Sequence, residues 1–326
     1  MKENLKKFGP LIVFAIVLGL AAYAKFGPGL PWTTSTATAS VSDSRGGGLV
    51  GLLSGAQSGG KVDIPEPPAP VGGTVKGIVE VGASGFNAFA INSDRQGRYK
   101  VVFREFGASL VAEGMTGTAD VKQQLKAYIS KLANRVVPAS NIHFVVSSGA
   151  QQQPKTAGII AGLKEIGYVV NVVTADQEGQ YAYKSAMHPD FTDKAFVVDI
   201  GSGNTKITWL EGGRLKTLEG PGAKYFQKGI SDQQVYAGIE AQAAQVPPML
   251  RGTCFVVGGG PNDLAVATGK AGRYTAFNRL ETYDAKGDAK IASTLNILKA
   301  IQAATGTSFV FNDDAFFPVG LLLGMK

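Results

Sequence analysis

The stretch that decides the fold is VVDIGSGNTKITWL, Val197 to Leu210. An acid, Asp199, closes an apolar strand. Gly201-Ser202-Gly203 follows, and Asn204-Thr205-Lys206 opens a second strand. Glycines let backbone N–H groups close on an anion, and Ser or Thr hydroxyls add donors. An unpaired carboxylate at the end of an apolar strand is costly. Asp199 is therefore expected to face a metal, a water or the phosphate loop rather than to cap a turn. The same order of strand, acid, glycine turn and strand occurs earlier, in Ile78-Val79-Glu80-Val81-Gly82-Ala83-Ser84-Gly85-Phe86-Asn87. A third glycine turn stands at Val257-Gly258-Gly259-Gly260. One such hairpin would be an ordinary turn. The recurrence predicts two similar subdomains facing each other across a cleft.

Around these hairpins strands and helices alternate, which predicts an α/β fold. Strands are expected at Lys76–Val81, Phe86–Ile91, Tyr99–Glu105, Ile142–Val146, Tyr168–Thr174, Ala195–Ile200, Lys206–Leu210 and Thr253–Val257. Helices are expected from Thr118, at Thr156–Ile166, Asp232–Gln245 and Ala289–Thr305, with the chain closing near Phe317–Met325. In the first helix Val121, Leu125, Tyr128, Ile129 and Leu132 fall on one face.

The chain has 326 residues, 44% of them hydrophobic, and a formal net charge of +7. That is a globular composition whose basic excess favours anionic partners. No basic run is interleaved with aromatics, so no nucleic-acid partner is expected. The single cysteine, Cys254, excludes an intrachain disulfide and zinc-finger spacing, and reads as buried and inert. His143 and His188 are lone histidines and read as structural.

Lys2, Lys6 and Lys7 precede an apolar run from Pro10 to Ala22, closed by Ala22-Tyr23-Ala24. This is a signal-peptide pattern, and Phe8 to Phe26 is long enough to span a bilayer if uncleaved. Residues 1–24 are thus expected to be a signal peptide or membrane anchor of the prokaryotic inner-membrane or periplasmic type. The rest of the chain then lies outside the cytoplasm, anchored or secreted. Residues 25–73, rich in Ser, Thr, Gly and Pro, read as a flexible linker with a stiff PEPPAP piece. Within it, Leu49-Val50-Gly51-Leu52-Leu53 is a short apolar patch. Residues 74–192 and 193–326 are expected to form the two subdomains, with the closing helix returning to the first.

The constellation resembles the actin-like, sugar-kinase and heat-shock-chaperone ATPase superfamily. Within it, the exopolyphosphatase / guanosine pentaphosphate phosphatase (Ppx/GppA) family is most similar, over about Gly77 to Gly324. Glu80–Gly85 stands where that family has D-x-G-S-N-S, and Asp199–Lys206 where it has D-x-G-G-G-S-T-E. Val173-Thr174-Ala175-Asp176-Gln177-Glu178-Gly179-Gln180-Tyr181-Ala182-Tyr183 resembles its segment I-S-x-x-E-E/G-x-x-x-Y. Gly258-Gly259-Gly260 matches its third turn and Phe317-Pro318-Val319-Gly320-Leu321 its closing helix.

The resemblance implies two ribonuclease-H-like (actin-like) subdomains around a central cleft. It implies Glu178 as the carboxylate that deprotonates the attacking water, with Asp199 and Glu80 placing Mg²⁺ or another divalent cation. Gly82, Ser84, Gly201, Ser202, Gly203, Asn204, Thr205, Lys206, Gly258, Gly259 and Gly260 would cradle phosphate. Three departures bear on the chemistry. The first loop carries Glu80 for Asp, Ala83 for Ser, Ser84 for Asn and Gly85 for Ser, and so loses side-chain donors. Gln151 stands where the family often has an Arg, which removes a bidentate phosphate contact. Lys206 replaces an acid expected to help hold a metal or water. It is open between pairing with Asp199 or Glu80 and binding an anion directly.

The expected function is an exported or membrane-tethered phosphoanhydride hydrolase of the exopolyphosphatase type, acting on polyphosphate or another phosphorylated anion. A homodimer is kept open as an assembly. The alternative is a catalytically weak or inactive phosphate- or nucleotide-binding protein, or an actin-like scaffold at a membrane. The run D-x-G-x-G-N-T-K supports the scaffold, since it also resembles loops of prokaryotic actin-like filament proteins.

Overall fold

The computed structural model describes residues 64–107, 118–135, 137–270 and 272–325. The expected signal or anchor, and the linker as far as residue 63, lie outside the described residues. Among the described residues no helix is long and apolar enough to cross a membrane.

Two mixed sheets with helices form an α/β architecture. The first sheet holds β1 (Thr74–Gly82), β2 (Gly85–Ser93), β3 (Tyr99–Phe106), β4 (Ile142–Val146) and β5 (Val170–Val172), in the order β3-β2-β1-β4-β5. β1 to β3 form an antiparallel meander, and β1, β4 and β5 run parallel. Helix α1 (Thr118–Ala133) precedes β4, α2 (Ser148–Gln151) and α3 (Thr156–Glu165) precede β5, and α4 (Ala175–Ala186) follows it. The second sheet holds β6 (Ala195–Ile200), β7 (Asn204–Glu211), β8 (Arg214–Pro221), β9 (Thr253–Val257), β10 (Tyr274–Phe277) and β11 (Ser308–Asn312), in the order β10-β11-β9-β6-β7-β8. Helix α5 (Asp232–Ala243) precedes β9, α6 (Gly259–Thr268) precedes β10, α7 (Ala289–Thr305) precedes β11, and α8 (Phe317–Gly324) follows it. Again a meander, β6 to β8, is extended by the parallel strands β9 and β11. Leaving aside the antiparallel edge strand β10, the two sheets share one connectivity. The two hairpins seen in the sequence are the openings of a repeated fold.

Strand parity sorts the side chains. One face of β6 and β7, with Phe196, Val198, Ile200, Ile207 and Trp209, packs against Val235 and Ile239 of α5 and Leu298 and Ile301 of α7. One face of the first sheet, with Val79, Val81, Phe144 and Val146, packs against Leu125 and Leu132 of α1 and Leu163 of α3. The opposite faces share a core: Ile78, Phe89 and Val145 from the first sheet with Val197, Phe255 and Val257 from the second. α4 and α8 are built into that shared core through Ala182, Tyr183, Val319 and Leu322. Each fully buried aliphatic side chain there contributes roughly 1.5–3 kcal/mol.

α4 is clamped by two glycines. A Cβ at Gly320 of α8 would lie 1.9 Å from the Tyr181 carbonyl oxygen, so the two helices cross with their backbones in contact. A Cβ at Gly179 of α4 would lie 2.4 Å from Thr217 Cγ2 and 2.5 Å from Thr208 Oγ1, so α4 is pressed onto β7 and β8.

Several elements differ from the sequence reading. β8, α4, α6, β10 and β11 were not anticipated, and β7 starts at Asn204 rather than Lys206. β8, RLKTLEGP, is a sheet-edge strand with few apolar residues and carries little β signal. α4 does have a legible start: Thr174 accepts from the Gln177 N–H, and the Gln177 side chain accepts from the Thr174 N–H. The end of the stretch read as linker is docked. Residues 64–73 carry no helix or strand, yet Ile64 is 6% exposed in the shared core, and the Val71 N–H donates to Asp94 Oδ2 at 3.1 Å.

Gly320→Ala is expected to cost about 3 kcal/mol or more in urea unfolding, since the added carbon meets backbone. Gly158→Ala, on the open side of α3 with nothing near its Cβ, is expected to gain up to ~1 kcal/mol. Equal effects of the two substitutions would refute the packing described.

Candidate functional site

Where the shared core opens, the three glycine turns enclose a cavity of about 310 Å³. Glu80, Glu178, Asp199 and Lys206 lie at its base, and Phe89, Phe106, Phe316 and Phe317 form an aromatic wall. The two hairpins deliver their polar groups in the same register. Glu80 pairs with Asn87 across β1 and β2, and Asp199 pairs with Lys206 across β6 and β7. The Asn87 amide donates to Glu80 Oε2 at 3.0 Å. Lys206 Nζ sits 3.7 Å from Asp199 Oδ2 and forms an ion pair with Glu178 Oε2. The other Glu178 oxygen, Oε1, accepts the backbone N–H of Ser148. Glu178 is 0% exposed and Lys206 3%.

Local structure explains this placement. Glu178 lies in the first turn of α4, held by the Thr174–Gln177 cap and by the close seat of Gly179 on β7 and β8. On β7, Asn204, Lys206 and Thr208 share the face under α4, while Thr205, Ile207 and Trp209 point the other way. Asp199 and Glu219 are the direct cross-strand neighbours of Lys206 on its two sides.

The charges perturb one another. Burial pushes the Glu80 carboxyl up to about 7, against the Asn87 hydrogen bond and with help from Glu178 and Asp199. Burial likewise pushes Asp199 up to about 6, and the Lys206 charge offsets only part of this. Burial also works against the Lys206 charge, but Asp199, Glu178 and Glu80 together outweigh it and hold the ammonium above the ordinary lysine value. Lys206 is therefore a permanently charged cation at neutral pH.

Most of the residues expected to cradle phosphate line the cavity: Gly82, Ser84, Gly201, Ser202, Gly203, Asn204, Lys206, Gly258 and Gly259. Two do not. Thr205 is on the core side of β7 by strand parity, and its hydroxyl donates to the Pro221 carbonyl at 2.8 Å. Gly260 is a packing glycine, since a Cβ there would lie 2.5 Å from Thr294 Oγ1 on α7. The Asn204 amide is already spent on Ser148 Oγ at 2.8 Å and Glu219 Oε1 at 2.6 Å. Gln151 turns to the Val173 carbonyl at 2.8 Å. His188 Nδ1 accepts the Asp190 N–H at 3.2 Å, and Cys254 is buried.

Other groups came only from the fold. Ser147 and Gly149 bring the end of β4 to the cavity, where Gly149 packs against Ala83 and Gly203. Lys290 of α7 reaches Asp263 Oδ2 at 2.6 Å and the Gly259 carbonyl at 3.3 Å, beside the N-terminus of α6. Nothing in the local sequence ties Lys290 to the third glycine turn.

The divalent cation expected at Asp199 and Glu80 does not fit this arrangement. The space between Glu178 and Asp199 holds the Lys206 ammonium. Among the described residues, no group of three or more His, Cys, Asp or Glu side chains is arranged to hold a metal ion.

The architecture has known counterparts. The chain is similar to the Ppx/GppA family member of Aquifex aeolicus, with 16% identity over 77% of this chain and 97% of that one, at TM-score 0.59. A type II variant of the Aquifex aeolicus Ppx/GppA phosphatase gives 16% identity over 77% and 99%, at TM-score 0.58. An exopolyphosphatase from Cytophaga hutchinsonii gives 13% identity over 78% and 99%, at TM-score 0.58. The fold is that of the Ppx/GppA phosphatases. No family model and no curated protein matches the sequence. On this Ppx/GppA fold, the carboxylates at the cleft base carry a lysine among them.

Glu80 gives a pH signature. Its native pKa, about 7, exceeds the ordinary 4.5, so the native state holds more protons than the unfolded chain between those values. Stability therefore falls as pH rises through that window. Glu80→Gln is expected to stabilise the protein by up to about 2 kcal/mol at pH 8, allowing for partial exposure to the cavity, and by almost nothing at pH 4.5. Thermal unfolding at the two pH values checks this.

Proposed function

We propose that the chain is a phosphoanion-binding protein on a Ppx/GppA phosphohydrolase fold. It holds polyphosphate or a related anion in the cleft without cutting it, and the basic and apolar N-terminal segment tethers it outside the cytoplasm. The observation that carries this reading is the state of Glu178. A general base needs an oxygen that the attacking water can reach. Glu178 is fully buried, with Oε1 accepting the Ser148 N–H and Oε2 ion-paired with the Lys206 ammonium. The two short turns, the N-terminal end of α6 and Lys290 remain as phosphate-facing features.

A hydrolytic reading is favoured by one observation, the description of the Cytophaga hutchinsonii structure as an exopolyphosphatase. In it, Lys206 leaves Glu178 when substrate enters.

The full chain is incubated with long-chain polyphosphate, and retention on a filter and released phosphate are both followed. Retention without release is expected. Release that Glu178→Gln abolishes would decide for hydrolysis, and failure to retain polyphosphate would refute the binding reading. Retention is expected to be tighter at pH 6 than at pH 8. Glu80 and Asp199, with values near 7 and 6, lose their negative charge beside the anion as pH falls.

A further inference from the structure

The Lys206 side chain is fixed from every side. β6 sets Asp199 against it and β8 sets Glu219 against it in register, while α4 lays Glu178 over its ammonium. The residue is 3% exposed, so the alkyl stem is packed and the head is enclosed. A Cβ at Gly201 would lie 3.9 Å from Nζ, which puts the charge directly beneath the second glycine turn. A carboxylate cluster under a phosphate turn needs a cation, because buried acids left to themselves repel both one another and any anion above them. A divalent ion from solvent is one solution, and a covalently attached ammonium is another.

We propose that Lys206 is a tethered counter-ion that takes the place of a divalent cation among Glu178, Asp199 and Glu80. The cleft therefore neither binds nor requires such a cation to hold its anion. The second half of this statement rests on the reading of the cleft as a phosphoanion site. The first half does not.

Mn²⁺ binding to the full chain, without any phosphate ligand, is read by electron paramagnetic resonance. Wild type is expected to show no cleft site. Lys206→Ala is expected to gain one, tightening Mn²⁺ binding at least about tenfold, and Mn²⁺ should raise the melting temperature of the variant but not of wild type. A wild-type site as tight as that of the variant, and lost in Asp199→Asn, overturns the proposal. So does a folded Lys206→Ala protein that gains no site. If circular dichroism shows Lys206→Ala unfolded, wild-type retention of polyphosphate with and without EDTA decides. Unchanged retention supports the tethered counter-ion, and loss in EDTA overturns it. If polyphosphate is retained in neither buffer, the phosphoanion reading falls. The wild-type Mn²⁺ titration then decides alone: a tight cleft site overturns the proposal and its absence supports it.

Discussion

The buried ion pair between Lys206 and Glu178 is the constraint on which the cleft depends. It joins a strand of the second sheet to the first turn of α4. Burying charge is tolerated only when charge and hydrogen bonds compensate it. Here Glu178 is met by an ammonium and a backbone N–H, and Asp199 lies close to the same ammonium. Glu80, farther off, relies on Asn87 and keeps a raised pKa. Taking away the lysine would leave several acids in a place that water barely reaches. The pairing engages one oxygen of Glu178 and the Ser148 N–H the other.

The rest of the architecture brings these groups together. Each sheet opens with a hairpin whose acid ends an inward-facing row of apolar side chains: Ile78 then Glu80, and Val197 then Asp199. Because both inner faces join one core, both acids emerge at the same opening. The two closing helices complete it. Gly320 and Gly179 let α8, α4 and the β7–β8 pair approach at backbone distance, and a bulkier residue at either would lift Glu178 off Lys206. Packing far from the charges thus sets their geometry.

Much of this was legible in the chain. The repeat of acid and glycine turn announced two related halves, and the segment around Glu178 stood out by its resemblance to a known family. Where the folded chain departs from that reading, the causes are physical. Thr205 looked like a phosphate ligand by its place in the motif, but strand parity turns it into the core beside Ile207. That parity was readable in NTKITW and outweighs the motif. Gly260 looked like part of a turn and is a helix contact. β8 escaped notice because an exposed edge strand needs no apolar pattern. Lys290 and Asp263 could not be paired in advance, since α6 and α7 meet only in the folded chain.

By itself the sequence determined the doubled hairpin, the acids that end its strands and the presence of a lysine where an acid was expected. Those are local facts, fixed by residue type and a period of two. Only the tertiary structure decided what the lysine does. Asp199 faces it by cross-strand register, but Glu178 arrives on a helix from another part of the chain, set down by packing against β8 and α8. An ion pair between distant residues is a property of that packing, and no local pattern encodes it.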